Sequence, residues 1–274
     1  MKKLLIFLIS VSMFGFSHVK KAQDSFGFIR AHYYIKKKDV CLDCNLTLNV
    51  NEEEINKDFL SMTFIKASSF VLNRFKNNTH VLTSNHVCEA IREFNTFTQS
   101  KTNDYLATKI KDAVLESKEV QERYEIKPTV SITTFEGLVY KDIEILKESK
   151  KHDICLINVP SSFGKAVEMS KKNCEYTNGY NISASGGFYL PRSTPLRTGY
   201  INSQAGSVMV EEKIFENVNV YTIQVSPGAS GSAVFNAEGL VCGNINIAYE
   251  KLQISFGASS KTIVDFYESY QKTH

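Results

Sequence analysis

Apolar runs of strand length recur along almost the whole chain, and short clusters of turn-forming residues separate them. A first set runs Phe26 to Ile35, Met62 to Leu72, Val81 to Thr83, Val130 to Phe135, Ile143 to Leu146 and Ile154 to Val159. A second set covers Gly179 to Ala184, Leu196 to Ile201, Val208 to Glu211, Asn219 to Val225, Ala233 to Phe235, Leu240 to Ala248 and Gln253 to Gly257. Many short strands with no long helices between them read as all-β barrels. Helical spacing is confined to two places. Ser260 to Gln271 carries Ile263, Val264, Phe266, Tyr267 and Tyr270 and reads as an amphipathic closing helix. In the stretch 95–126, Leu106, Ile110, Ala113, Val114, Val120 and Tyr124 lie among charges, the pattern of an inserted amphipathic helix. That insertion is either surface decoration or a rim beside whatever site the chain carries.

Three segments carry chemistry. Val225-Ser226-Pro227-Gly228-Ala229-Ser230-Gly231-Ser232-Ala233-Val234 is a tight turn that presents one serine. Gly228 and Gly231 permit backbone angles closed to other residues, so amides near Ser230 can converge on one point. A hydroxyl flanked by converging N–H donors suits acyl transfer, in which a nucleophile attacks and an oxyanion develops. Taken alone, such a turn is equally well a plain strand connection. Upstream, Thr83-Ser84-Asn85-His86-Val87-Cys88 closes an apolar strand on a histidine, and His152-Asp153-Ile154-Cys155-Leu156-Ile157 opens another on an aspartate. The order His86, Asp153, Ser230 is one of the known chain orders of a catalytic triad, and it excludes the hydrolase-fold esterases, which run Ser, acid, His. His152 competes with His86 for the base role but lacks the Thr-x-x-His context, and Asp153 read alone could be a strand-capping carboxylate.

These motifs resemble those of the trypsin-like (chymotrypsin-fold) serine proteases, specifically the bacterial secreted branch without an activation peptide. Leu82-Thr83-Ser84-Asn85-His86-Val87 is similar to the family's Leu-Thr-Ala-x-His motif, and Asp153-Ile154-Cys155-Leu156-Ile157 to its Asp-Leu-Ala-Leu-Leu. Gly228-Ala229-Ser230-Gly231-Ser232-Ala233 departs from Gly-Asn/Asp-Ser-Gly-Gly-Pro at three small positions. Ala67 to Leu72, Ser131 to Tyr140 and Gly239 to Asn246 look like the family's intervening strands, so the likeness covers roughly 63–92 and 128–265. It implies two six-stranded antiparallel barrels, residues 26–165 and 173–274, joined near Pro160 to Lys172, with the triad between them.

The resemblance further implies Ser230 as nucleophile, His86 as general base and Asp153 as its orienting acid. Backbone N–H groups of Gly228 and Ser230 become the oxyanion hole. Asn246, Ile247 and Ala248 become the strand that pairs with substrate, and Gln224, Val225, Ser226, Ile245, Ile247, Ala248 and Ser255 the specificity pocket. Ala229 stands where zymogen-type members place an acidic residue, so no activation switch is expected. No cofactor or metal is implied, and the expected partner is a polypeptide substrate. The rival reading is a catalytically inactive protease-fold binding protein, with a collapsed oxyanion hole around Ala229 and Ser232.

Composition narrows the setting. The chain has 274 residues, 43% of them hydrophobic, enough for one large or two small cores. Net charge is only +3, and without Lys2 and Lys3 the balance is 30 basic to 29 acidic residues, so neither a nucleic-acid footprint nor a membrane-binding basic face is expected. Met1-Lys2-Lys3 followed by the apolar run Leu4 to Phe14 and Gly15-Phe16-Ser17 has the form of a signal peptide over residues 1–17. It is short for a membrane span of about 20 residues, although an uncleaved anchor stays open; a secreted or periplasmic protein without stable membrane association is expected. Six cysteines, at 41, 44, 88, 155, 174 and 242, are then permitted to form disulfides. Cys41 and Cys44 form a Cys-x-x-Cys without a second half-site, which favours a disulfide over zinc. Cys155 and Cys242 are either buried thiols or, because the family sets Asp153 beside Asn246, partners of each other. Connectivity does not follow from spacing.

Overall fold

The computed structural model describes residues 17–37, 65–96, 124–172, 174–210 and 213–273. The expected leader except Ser17, the Cys41/Cys44 pair and the body of the expected 95–126 helix lie outside the described residues. The chain divides into two units. The first takes residues up to Ile29, Lys66–Glu89 and Ser131 onward; the second takes Arg30–Ile65 and Ala90–Val130. Among its described residues the second unit holds the far halves of two strands and the end of one helix, with Ala31, Ile91 and Phe94 buried. The candidate site residues described below all belong to the first unit.

Two sheets dominate the described residues. The strands of the first are β1 (Phe26–Lys37), β2 (Ile65–Arg74), β3 (Thr79–Thr83), β4 (Tyr124–Thr134), β5 (Val139–Tyr140), β6 (Glu144–Ser149) and β7 (Ile154–Val159), in the order β5-β4-β1-β2-β3-β7-β6. The second comprises β8 (Thr177–Ile182), β9 (Leu196–Val210), β10 (Lys213–Tyr221), β11 (Ser232–Asn236), β12 (Val241–Ile245), β13 (Ile247–Tyr249) and β14 (Ile254–Ala258), ordered β12-β11-β8-β9-β10-β14-β13. The all-β reading and the closing helix hold. Each sheet has seven strands where the resemblance implied six, because β5 and β13 are pieces of two and three residues.

Burial explains the strand assignments. All five residues of β3 are buried, as are all but Asn158 of β7, which is the continuous apolar signature of strands covered on both faces. Phe70 and Leu82, cross-strand partners in β2 and β3, share one core with Tyr180 and Phe235 of the second sheet and with Ile263 and Phe266 of the closing helix. That helix spans Ser260–Gln271, as its spacing predicts, and the Ser259 hydroxyl caps it by accepting from Thr262 N–H at 3.2 Å.

The strand run ends at Thr83 as its sequence reads, but His86 does not close it. β3 stops at Thr83, and Asn85–Thr96 is a helix with His86 in its first turn. Val87, Cys88, Ile91 and Phe94 are its buried apolar residues, spaced for one helical face. Disulfides join Cys88 to Cys155 and Cys174 to Cys242, with Cα–Cα separations of 6.5 and 5.9 Å. The Cys155–Cys242 alternative is thereby overturned, because each cysteine has a nearer partner on its own side of the fold.

His80 on β3 is a buried structural histidine. Its Nδ1 lies 2.9 Å from the Tyr267 hydroxyl, and its ring packs edge-on against Phe75 at 4.8 Å and against Tyr267 and Tyr270. Burial holds its pKa below the ordinary 6.5. The unfolded chain therefore takes up a proton at His80 before the folded one does. Its stabilising contribution is complete above pH 6.5 and is lost as pH falls towards the depressed folded value. Thermal melts at pH 7.5 and pH 5 should show a smaller acid-induced fall in Tm for His80→Gln than for the wild type.

Candidate active site

His86 and Asp153 meet because two chain reversals follow paired strands. β3 and β7 run antiparallel with Thr83 opposite Cys155, and the chains diverge beyond that rung. Past Thr83 the chain turns into the His86 helix. Before Ile154 it makes a turn in which Asp153 takes a left-handed conformation, φ +50°, one that Asp tolerates better than most residues. Asp153 is 4% exposed, whereas the imidazole stays open to the cleft at 43%. The carboxylate accepts from the His86 backbone N–H at 3.0 Å through Oδ1, and its Oδ2 is 2.9 Å from Nδ1. Both contacts fix the ring, and a proton on Nδ1 leaves Nε2 as the free base.

Ser230 sits in a turn that the second sheet holds firmly. Gly231 N–H donates to the Ile245 carbonyl at 2.6 Å, and Ser68 N–H on β2 donates to the Ser230 carbonyl at 2.9 Å. The Ser68 hydroxyl donates to the Gly228 carbonyl at 2.7 Å and accepts from Ala184 N–H at 2.9 Å. Gly228 and Gly231 have φ of +102° and +88°, and a Cβ on either would collide with neighbouring backbone, Ala184 O in one case and Ser68 O in the other. The Pro227 carbonyl accepts from Gly186 N–H at 2.7 Å. In a planar trans peptide the N–H points opposite to the carbonyl, so Gly228 N–H faces away from Gly186. Among the described residues neither Gly228 N–H nor Ser230 N–H has a partner.

Asn246 ties the three segments together, a role that sequence reasoning missed by reading it only as substrate-pairing backbone. Its Oδ1 accepts from Ser84 Oγ at 2.7 Å and Asn244 Nδ2 at 2.6 Å, and its Nδ2 donates to the His152 carbonyl at 3.2 Å. Its own carbonyl accepts from Ser230 Oγ at 3.3 Å. Ser230 Oγ therefore points to Asn246, and no hydrogen bond joins it to His86 in this structure. The sequence signal for the hub was the polar pair Asn244 and Asn246 inside the otherwise largely apolar run Leu240 to Ala248.

His86, Asp153 and Ser230 all line one cleft of about 1400 Å³. Ser226, Ile245, Asn246, Ile247 and Ala248, five of the expected substrate-binding residues, line it too. Three expected pocket residues do not. Gln224 is exposed, its carbonyl accepting from Arg197; Val225 is packed in the core; Ser255 is buried and donates to the Ile223 carbonyl at 3.0 Å. For Ser255 strand alternation explains this, because Ile254 and Phe256 face the cleft and Ser255 between them faces inward. The cleft continues over the exposed apolar side chains Met209, Ile214 and Leu252. Its ionic groups sit in pairs, Lys150 with Glu89 and Lys151 with Glu216.

A two-sheet fold with an imidazole–carboxylate pair beside a serine in a glycine turn defines a chymotrypsin-like class. The sequence profile of the trypsin-like peptidase domain matches residues 67–243, and the chain belongs to that family. Among solved structures it resembles a serine endoprotease from Yersinia pestis, with a TM-score of 0.55 at 11% identity. The likeness covers 92% of this chain and 65% of the other, so this chain spans less than two thirds of that protein. Comparison with curated proteins finds no match.

Ser68→Ala should destabilise the protein by about 1–3 kcal/mol, since Ala184 N–H and the Gly228 carbonyl both lose a buried partner. Denaturant unfolding measures this, with an unchanged m-value expected.

Proposed function

We propose that the protein is an exported serine endopeptidase acting through His86, Asp153 and Ser230. The observation that supports it most is the buried Asp153 carboxylate holding His86 through both ring and backbone, beside Ser230 on the same cleft. In this mechanism His86 Nε2 takes the Ser230 proton as Oγ attacks the scissile carbonyl, then delivers it to the leaving amine, and water repeats the sequence on the acyl-enzyme. Asp153 keeps the imidazole in the required tautomer and stabilises the imidazolium. Gly228 and Ser230 N–H groups, which have no partner among the described residues, receive the oxyanion; one such donor is typically worth about 10²–10³ in rate. Substrate backbone pairs with Ile247 and Ala248 at the end of the second sheet, β13 being its terminal strand. Export is supported by the leader-like N-terminus and by two disulfides. Among the described residues no helix is long and apolar enough to cross a membrane.

One observation favours the rival, an inactive protease-fold binding protein: Ser230 Oγ is bonded to Asn246 rather than to His86. Rotation about one χ1 is a small change, and nucleophile–base contacts commonly tighten only when substrate binds. The peptidase reading therefore stands ahead.

A fluorophosphonate should label wild-type protein at Ser230. Ser230→Ala and His86→Ala should each fold normally and lose peptide hydrolysis by a factor of at least about 10⁴; near-wild-type turnover in Ser230→Ala sinks the assignment.

Cleavage should favour an uncharged, small to medium residue before the cut. Ser226, Ile245, Ala248 and Phe256 offer no counter-charge near Ser230, so a buried Lys, Arg, Asp or Glu would carry an uncompensated desolvation cost. A peptide-library profile dominated by Arg or Lys at that position would refute the pocket reading and leave the triad untouched.

A further inference from the structure

We propose that the Cys88–Cys155 disulfide is a positioning element for the His86–Asp153 pair, setting the rate of the chemical step as well as stabilising the fold. The inference rests on the peptidase reading above. Each half of the bridge lies two residues beyond a proposed triad member: His86-Val87-Cys88 on one side and Asp153-Ile154-Cys155 on the other. Six residues thus form a ring, closed covalently at one end by the disulfide and at the other by the carboxylate hydrogen bonds to His86. The backbone ladder does not supply this connection. Pairing of β3 with β7 ends at Thr83 opposite Cys155, so both His86 and Asp153 lie past its last rung. Two further ties join the segments, the part-exposed Lys150–Glu89 ion pair at 3.1 Å and, indirectly, the Asn246 amide to Ser84 and His152.

A tether this close to the reacting groups restricts how far the first turn of the helix can move from the Asp153 turn. Displacement of a reacting group by about 1 Å can cost about 10²-fold in rate. Cys88 and Cys155 are both fully buried, so the bridge makes no contact with substrate. Its influence should therefore fall on kcat and leave KM nearly alone.

The other bridge provides an internal control. Cys174–Cys242 spans 68 residues against 67 for Cys88–Cys155, so the two constrain the unfolded chain about equally. It joins neither His86 nor Asp153. The experiment compares Cys88→Ala/Cys155→Ala with Cys174→Ala/Cys242→Ala, each in the wild-type and Asp153→Asn backgrounds. Readouts are kcat and KM on a peptide with an uncharged residue before the cut, the rate of fluorophosphonate labelling, and thermal stability. Both pairs should lower Tm. Only the Cys88/Cys155 pair should lower kcat, by about 10–100-fold, with KM within about 2-fold and labelling slowed in proportion. In the Asp153→Asn background the same pair should cost less than about 3-fold, because the interaction it supports is already gone.

An unchanged kcat, an equal loss from the control bridge, or an equal loss in the Asp153→Asn background overturns the proposal. If the alanine pair does not fold, Cys88→Val with Cys155→Ala preserves more volume and reads the same quantities. A wild-type protein that neither labels nor hydrolyses peptide overturns the peptidase reading itself, and this inference falls with it.

Discussion

The hydrogen bonds of Ser68 are the constraint on which the rest of this molecule depends. From β2 of the first sheet, one residue donates its main-chain N–H to the Ser230 carbonyl and its hydroxyl to the Gly228 carbonyl, while accepting from Ala184 N–H. Sheet pairing cannot join the two sheets, because each satisfies its own ladder. A side chain that is fully buried and bonded on both donor and acceptor sides can do so without leaving an orphan. The collision that forbids a Cβ at Gly231, against Ser68 O and Thr83, belongs to the same contact, whereas at Gly228 it is the Ala184 and Gly187 backbone that leaves room only for glycine. The nucleophile turn is thus shaped from outside its own sheet.

Buried polar side chains cluster around the cleft. Ser68, Ser84, Asn244 and Asn246 are all buried, and each has partners in the network described above. Such a network is costly if incomplete and specifying when complete. Its members join the serine turn, the His86 helix and the Asp153 turn, three segments that the strand ladders reach only at their ends. The apolar core, built from Phe70, Leu82, Tyr180 and Phe235, supplies cohesion. The polar web supplies the register of the groups that face the cleft.

Much of this was legible in the sequence, for physical reasons. Short apolar runs between turn residues specify strands through burial alone, and the spacing of Ile263, Val264, Phe266 and Tyr267 marks the closing helix. The triad candidates were legible because His86, Asp153 and Ser230 each sit where an apolar strand meets a turn. Three things were not. His86 lies in a helix, although Ser84 and Asn85 before it and the spacing of Val87, Cys88, Ile91 and Phe94 carried the signal. Gln224, Val225 and Ser255 do not face the cleft: alternation along β14 turns Ser255 inward, and Gln224 and Val225 lie in the irregular segment after β10, where no strand period fixes the facing. Disulfide partners depend on which turns meet in three dimensions, and cysteines 67 and 68 residues apart hold no local trace of that.

Both sulfurs of the Cys88–Cys155 bridge are sealed from solvent. A thiol in the surroundings can attack only while that part of the fold is open, since exchange requires direct access to a sulfur. Resistance to reductants is therefore a kinetic property of the whole domain rather than a matter of local redox chemistry. The durability of the bridge is inherited from the height of the unfolding barrier. Raising the ambient thiol concentration hastens its loss only until opening itself becomes the slow step, and beyond that point the clock is the fold.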